Sequence, residues 1–177
     1  MPVLIALLRG VNVGGRTKVG MADLRAIATE LGYDGVRTYI QSGNLLCTTS
    51  ATPARVARDL ERGIAERCGV ETDVMVRTRA QLAKVVDRSP YLARGEDPKH
   101  LHVVFTAGRA RVPLADLERY APEEVQAVGS ELHLLLPGGV GRSKLAADLA
   151  KASKGQPGTM RNWNTVTRLL AMAGETA

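Results

Sequence analysis

Short apolar runs and segments of helical apolar period alternate along this chain in one order, and that order comes round twice. No other feature restricts the fold as much. Val3 to Leu8 is a continuous apolar run, as in a strand buried on both faces. A glycine-rich loop follows, Gly10-Val11-Asn12-Val13-Gly14-Gly15. Leu24, Ile27, Ala28 and Leu31 then recur at helical spacing, and Gly32 is placed to end that helix. Val36 to Ile40 and Leu45 to Thr49 read as two strands around Gln41-Ser42-Gly43-Asn44, where Gly and Asn supply the dihedrals of a tight turn. Thr52-Pro53 is a helix cap followed by proline at the first helical position. Val56, Leu60 and Ile64 line one face of that helix, Gly69 closes it, and Val70 to Val76 alternates as a strand.

The second half begins with a helix. Thr78-Arg79-Ala80-Gln81 has the spacing of a capping box, Leu82, Val85 and Val86 follow on one face, and Ser89-Pro90 ends the helix. Leu101 to Thr106 reads as a strand, Pro113 as the start of a short helix bearing Leu114, Leu117 and Tyr120. Val125 to Val128 and Leu132 to Leu136 form a second hairpin about Gly129-Ser130. Leu145 and Leu149 mark a helix, Thr159–Arg161 a short strand, and Val166, Leu169, Leu170 and Ala173 a final amphipathic helix. Both halves therefore spell β-α-β-β-α-β, the split βαβ or ferredoxin-like order. The expected architecture is α+β: tandem ferredoxin-like α/β-plaits with antiparallel sheets. Residues 1–78 would form the N-terminal subdomain, and 79–177 the C-terminal one with extra flanking helices. A single merged α+β unit is the alternative. The repeat lies in element order, not in residue identity.

At 177 residues the chain can bury a core without disulfides or a structural metal. Cys47 and Cys68 lie in no C-x-x-C pair and have no histidine at ligand spacing, so they read as reduced thiols in a cytoplasmic protein. The first apolar run is too short to span a bilayer and has no basic segment ahead of it, so no membrane role is expected. The net charge of +6 is uneven. Residues 1–20 carry Arg9, Arg16 and Lys18 with no acid, residues 138–177 carry a net +4, and the middle is −1. If the ends meet, they make a basic patch that attracts phosphates or nucleic acid; a basic surface kept for solubility is the plainer reading.

Four polar groupings stand out. Gly10 to Thr17 nearly matches G-x-x-x-x-G-K-[ST], with Arg16 where lysine belongs. The helical period starts several residues too late for a nucleotide-hydrolysing P-loop, and no strand ends in a magnesium-binding Asp. A concavity of backbone N–H groups for some anion fits better, with a flexible connection as the bland alternative. Thr159-Met160-Arg161-Asn162-Trp163-Asn164-Thr165 holds the only tryptophan; Asn162 or Asn164 would cap the last helix and Trp163 anchor it, while the Arg161 fork suits a carboxylate or phosphate. Gly141-Arg142-Ser143-Lys144 sets cations at a helix start, against the helix dipole, which an arriving anion would relieve. His100 and His102 lie two apart on a strand, but no further ligands are spaced for a metal. Ser42 has no base assigned to it, and no nucleophile motif appears. Aromatics are 3% of the chain, too few for the stacking platform of an RNA-recognition motif.

Three ordered motifs carry a resemblance. Leu7-Leu8-Arg9-Gly10-Val11-Asn12-Val13-Gly14-Gly15, Thr38-Tyr39-Ile40-Gln41-Ser42-Gly43-Asn44 and Arg161-Asn162-Trp163-Asn164-Thr165 resemble the bacterial family of uncharacterised proteins called domain of unknown function 1697 (DUF1697), and Gly141-Arg142-Ser143-Lys144 is similar to its pattern. The resemblance spans nearly the whole chain. It implies two α/β-plait subdomains and no activity. Arg16-Thr17 stands where the family's usual Lys or Asn follows the double glycine.

The expected function is binding of an anionic, phosphate-bearing ligand such as a nucleotide or phosphometabolite, with no cofactor and no metal. Arg9, Asn12, Gly14, Gly15, Ser42 and Asn44 would line one wall, and Arg142, Lys144, Arg161, Asn162 and Asn164 the other. A small transferase or hydrolase acting on such a ligand is one alternative. A nucleic-acid or protein interaction module without a small-molecule site is another.

Overall fold

The computed structural model describes residues 1–175. Eight strands form two four-stranded antiparallel sheets. The elements run β1 (Val3–Leu8), α1 (Met21–Glu30), β2 (Asp34–Thr38), β3 (Asn44–Thr48), α2 (Pro53–Cys68), β4 (Val74–Thr78), α3 (Arg79–Asp87), α4 (Pro90–Ala93), β5 (Leu101–Thr106), β6 (Glu124–Val128), β7 (Glu131–Leu135), α5 (Lys144–Ala152), β8 (Gly158–Asn162) and α6 (Trp163–Gly174). The sheets have the orders β2-β3-β1-β4 and β6-β7-β5-β8, the same plait twice. The tandem ferredoxin-like architecture is thus the architecture of the chain. By compactness the chain divides into Met1–Ala83 with the segment from Leu169 onward, and Lys84–Arg168. The boundary expected from the sequence falls after 78. Nothing linker-like marks the place, because Thr78 leaves β4 directly into α3 through a reciprocal capping box: Gln81 N donates to Thr78 Oγ1 at 3.1 Å and Thr78 N to Gln81 Oε1 at 2.9 Å.

In the first unit α1 and α2 cover one sheet face. Leu24, Ile27, Val56, Leu60 and Ile64 meet Leu4, Ala6, Leu8, Leu45 and Cys47 in a single core. Each buried Leu, Ile or Val of this set contributes about 2 kcal/mol by leaving water. The local signals act as read. Thr52 caps α2 through Arg55 N at 3.3 Å, and Gly69 ends it in the left-handed region at φ 65°. Gly63 lets α1 and α2 close up, since a Cβ there would lie 2.5 Å from Ile27 Cγ2. Outside that core, Arg37 of β2 donates to Met172 O at 2.8 Å and so holds the last turn of α6.

In the second unit α5 covers Leu132, Leu134 and Val125. Some expectations differ from the structure. The helix expected from Pro113 is a single 3-10 turn, Leu117–Tyr120, because Asp116 ahead of it sits in the left-handed region at φ 49°. The first crossover of this unit therefore lacks its α-helix. His100 ends a 3-10 turn, Pro98–His100, and only His102 lies on β5. In the first unit the strand read from Val70 begins at Val74, whose N–H goes to the Glu61 carboxylate at 2.9 Å.

The register exposes a residue-level repeat that the sequence hides. Ile5 stands opposite Leu46 and Arg77 in one sheet, and Val103 opposite His133 and Arg161 in the other. Arg77 and Arg161 are thus equivalent, and both are buried. In each, Nη1 donates to the carbonyl of the preceding residue, at 3.1 Å for Arg77 and 2.8 Å for Arg161.

Candidate functional site

The glycine-rich loop leaves the C-terminal end of β1. Leu8 N donates to Gly43 O at 2.9 Å and Arg9 N to Asp73 O at 3.0 Å, so the loop starts pinned between two neighbouring connections. Only glycine fits at 43: its φ is +83°, and a Cβ would lie 2.7 Å from Val11 Cγ2 and 2.8 Å from Leu8 Cβ. Asn12 is the latch. At φ 58° its Nδ2 donates to Val19 O at 2.9 Å and Gln41 O at 2.6 Å, and its Oδ1 accepts from Val19 N at 3.0 Å. Thr17 Oγ1 donates to Gly10 O at 2.7 Å, and Asn12 N to Thr17 O at 2.8 Å. These bonds close the loop at its base.

The outer arc is Val13-Gly14-Gly15-Arg16. All four are exposed, Val13 at 71%. No close hydrogen bond engages the N–H groups of Gly14, Gly15 and Arg16 among the described residues. Arg16 and Lys18 have no ion-pair partner there either. Arg9 is paired with Asp73 at 3.1 Å, both half exposed. The adjoining turn contains Ile40 at φ 48°, a costly backbone for a β-branched residue, held half exposed. Asn44 is fully buried and donates to Tyr39 O and Ser42 Oγ, both at 2.9 Å.

The first unit thus brings Arg9, Asn12, Gly14, Gly15, Ser42 and Asn44 to one end of its sheet. Their tasks divide. Asn12 and Asn44 spend their side chains on holding the loop and turn, while Gly14, Gly15 and Arg16 are exposed.

The other expected residues lie in the second unit, at the sheet end where β7 and β8 finish. That is the end not equivalent to the one bearing the loop in the first unit. Arg142 and Lys144 are exposed at the start of α5. The conflict with the helix dipole is answered internally: Ser143 Oγ accepts from Ala146 N at 2.9 Å, and the Glu123 carboxylate accepts from Leu145 N at 3.1 Å. Glu123 lies 22 residues upstream, out of reach of a local reading. Asn162 caps α6 by accepting from Thr165 N at 2.8 Å, Trp163 is buried, and Asn164 is exposed. Arg161 is 6% exposed and its Nη1 also donates to Thr159 Oγ1 at 2.7 Å. Burial lowers it to about 10, so it stays charged at neutral pH. His133 is buried without a partner for Nε2, and burial lowers it to about 4. Burial lowers His102 as well. Cys47 and Cys68 are free, and burial pushes the Cys47 thiol up to about 11. Among the described residues no three His, Cys, Asp or Glu side chains gather as a metal site, and no helix is long and apolar enough to cross a membrane.

A family model described as protein of unknown function (DUF1697) matches residues 1–133, which include the loop, the Ile40 turn and the first plait entire. The chain belongs to the DUF1697 family. A solved structure, that of the conserved bacterial protein SP0830 from Streptococcus pneumoniae, is similar with a TM-score of 0.74 at 21% identity, over 97% of this chain and 98% of that one. That likeness is one of fold. No curated protein matches.

Proposed function

We propose that the protein is a cytoplasmic binding protein for a phosphate-bearing anion, a nucleotide or phosphorylated metabolite, and that the glycine-rich loop of the first unit receives the phosphate. One observation carries the reading. The loop is latched at its base by Asn12 and Thr17, while its outer residues Val13, Gly14, Gly15 and Arg16 are exposed and no close hydrogen bond engages the N–H groups of Gly14, Gly15 and Arg16 among the described residues, with the Arg16 and Lys18 cations on the same loop. Successive amides on a glycine arc form an anion-binding concavity, and charge-assisted bonds from Arg strengthen it. Gly14 at φ 67° and Gly15 at φ 78° hold the arc in a shape other residues resist. Arg9 adds charge that it shares with Asp73. Asn12, Ser42 and Asn44 support the shape.

Thermal unfolding with nucleotides, sugar phosphates and inorganic pyrophosphate tests it. A ligand at ten times its Kd adds about 1.4 kcal/mol, a rise of roughly 4 °C for a chain of this size. The rise is expected with at least one phosphate compound and is expected to be smaller in the Arg16→Ala/Lys18→Ala variant. A flat response across the set, or a rise unchanged in that variant, overturns the assignment.

A further inference from the structure

Between β5 and β6 on one side and α5 and β8 on the other, the second unit encloses an open cavity of about 580 Å³. Arg109 and Arg111 line it from the β5–β6 connection, Ser153 and Gln156 from the connection into β8. Gln156 ties the two walls together: Nε2 donates to Arg109 O at 2.7 Å, and Oε1 accepts from Arg111 N at 3.3 Å. The cavity is therefore shaped before anything enters it.

Its charge is one-sided. Among the described residues, Arg109 and Arg111 are the only charged ones that line it. Neither guanidinium has an ion pair or hydrogen bond among the described residues. Two other arginines of the same unit are paired: Arg94 reaches Glu96 at 2.9 Å and Glu124 at 2.7 Å, and Arg119 reaches Asp148 at 3.3 Å. Lys154, on the turn between Ser153 and Gly155, adds a third exposed cation beside the opening. Like charges gathered around one hollow repel, and an arriving anion removes that cost. Planar guanidinium forks match the oxygens of a phosphoryl group. The lining holds no aromatic side chain, so nothing there stacks on a nucleobase. The volume lies within the range of small-molecule pockets.

The repeat points to the same place. Thr106 N donates to Ser130 O at 3.1 Å, as Leu8 N donates to Gly43 O in the first unit, and Gly108 at φ 88° follows β5 as Gly10 at φ 63° follows β1. The cavity thus lies in the second unit where the glycine-rich loop lies in the first, although it uses side chains where that loop offers amides. We infer that this cavity is a second anion site, which takes the phosphoryl group of a phosphorylated small molecule. It shares no residue with the loop of the first unit and stands independently of it.

The test uses full-length, nitrogen-15-labelled protein already carrying Arg16→Ala/Lys18→Ala, which removes the loop's cations, titrated with inorganic pyrophosphate. Saturable amide shifts are expected at Arg109, Arg111, Ser153 and Gln156. Adding Arg109→Glu/Arg111→Glu is expected to weaken binding by roughly tenfold or more; Arg109→Gln/Arg111→Gln serves if the charge reversal disturbs the fold. Absent shifts, shifts that survive loss of both arginine charges, or a response to a single-stranded RNA oligomer with none to pyrophosphate would each overturn the inference.

Discussion

Asn12 holds one backbone loop by three hydrogen bonds, two to Val19 and one to Gln41 O. Asn12→Ala removes all three and leaves a positive-φ residue without its compensation, so a loss of about 2 kcal/mol is expected by urea denaturation. An unchanged midpoint would mean that the loop does not depend on the latch. A second residue-scale expectation concerns pH. His133 is neutral in the fold, with its pKa lowered to about 4 by burial, against about 6.5 when exposed. The stability this contributes is complete above pH 6.5 and is lost as the pH falls toward 4, because the unfolded chain takes up the proton first. Between pH 7 and pH 5 the loss is about 2 kcal/mol, and His102 acts in the same direction. The slope is expected to flatten in a His133→Gln variant, and an equally steep slope there would assign it elsewhere. Much at this scale was legible in the sequence. The double glycine and the Gln41–Asn44 turn stand in the chain as written. The partners of Asn12 and the carboxylate at the start of α5 do not, because folding alone brings Gln41 and Glu123 to those places.

Elements declared themselves where their signals are local. Thr52, Gly69 and the Thr78/Gln81 box all act within a few residues of their own position. Thr78→Ala is expected to cost about 1 kcal/mol. Packing between elements is less visible. Gly63 reads as a weak point in a helix, yet it is the contact that seats α2 against α1. Gly63→Ala would place its Cβ 2.5 Å from Ile27 Cγ2, and the overpacking should cost about 2 kcal/mol despite alanine's better helix propensity. A gain in melting temperature would contradict that packing. The missing helix of the second unit was out of sight for a different reason. Leu114, Leu117 and Tyr120 keep a helical spacing, and the left-handed backbone at Asp116 overrides it.

At the scale of the molecule, the two units share one plait topology. The buried arginines Arg77 and Arg161 take the same place in each, although the sequence around Arg161 looks like a recognition motif. Arg161→Ala removes the hydrogen bonds to Thr159 Oγ1 and Met160 O and is expected to lower stability by about 2 kcal/mol while leaving pyrophosphate affinity intact. Lost affinity in a protein of unchanged stability would make Arg161 a ligand contact instead. Element order made the twofold architecture legible; the register that equates the two arginines needed coordinates, because few identities survive between the halves. The most direct measurement is a pyrophosphate titration of the labelled wild-type protein, following the amides of Val13, Gly14, Gly15 and Arg16. If the loop is an anion cradle, these resonances move together and saturate, and Arg16→Ala/Lys18→Ala reduces the movement. If they stay still while the ligand binds elsewhere or not at all, the loop is a connection and nothing more.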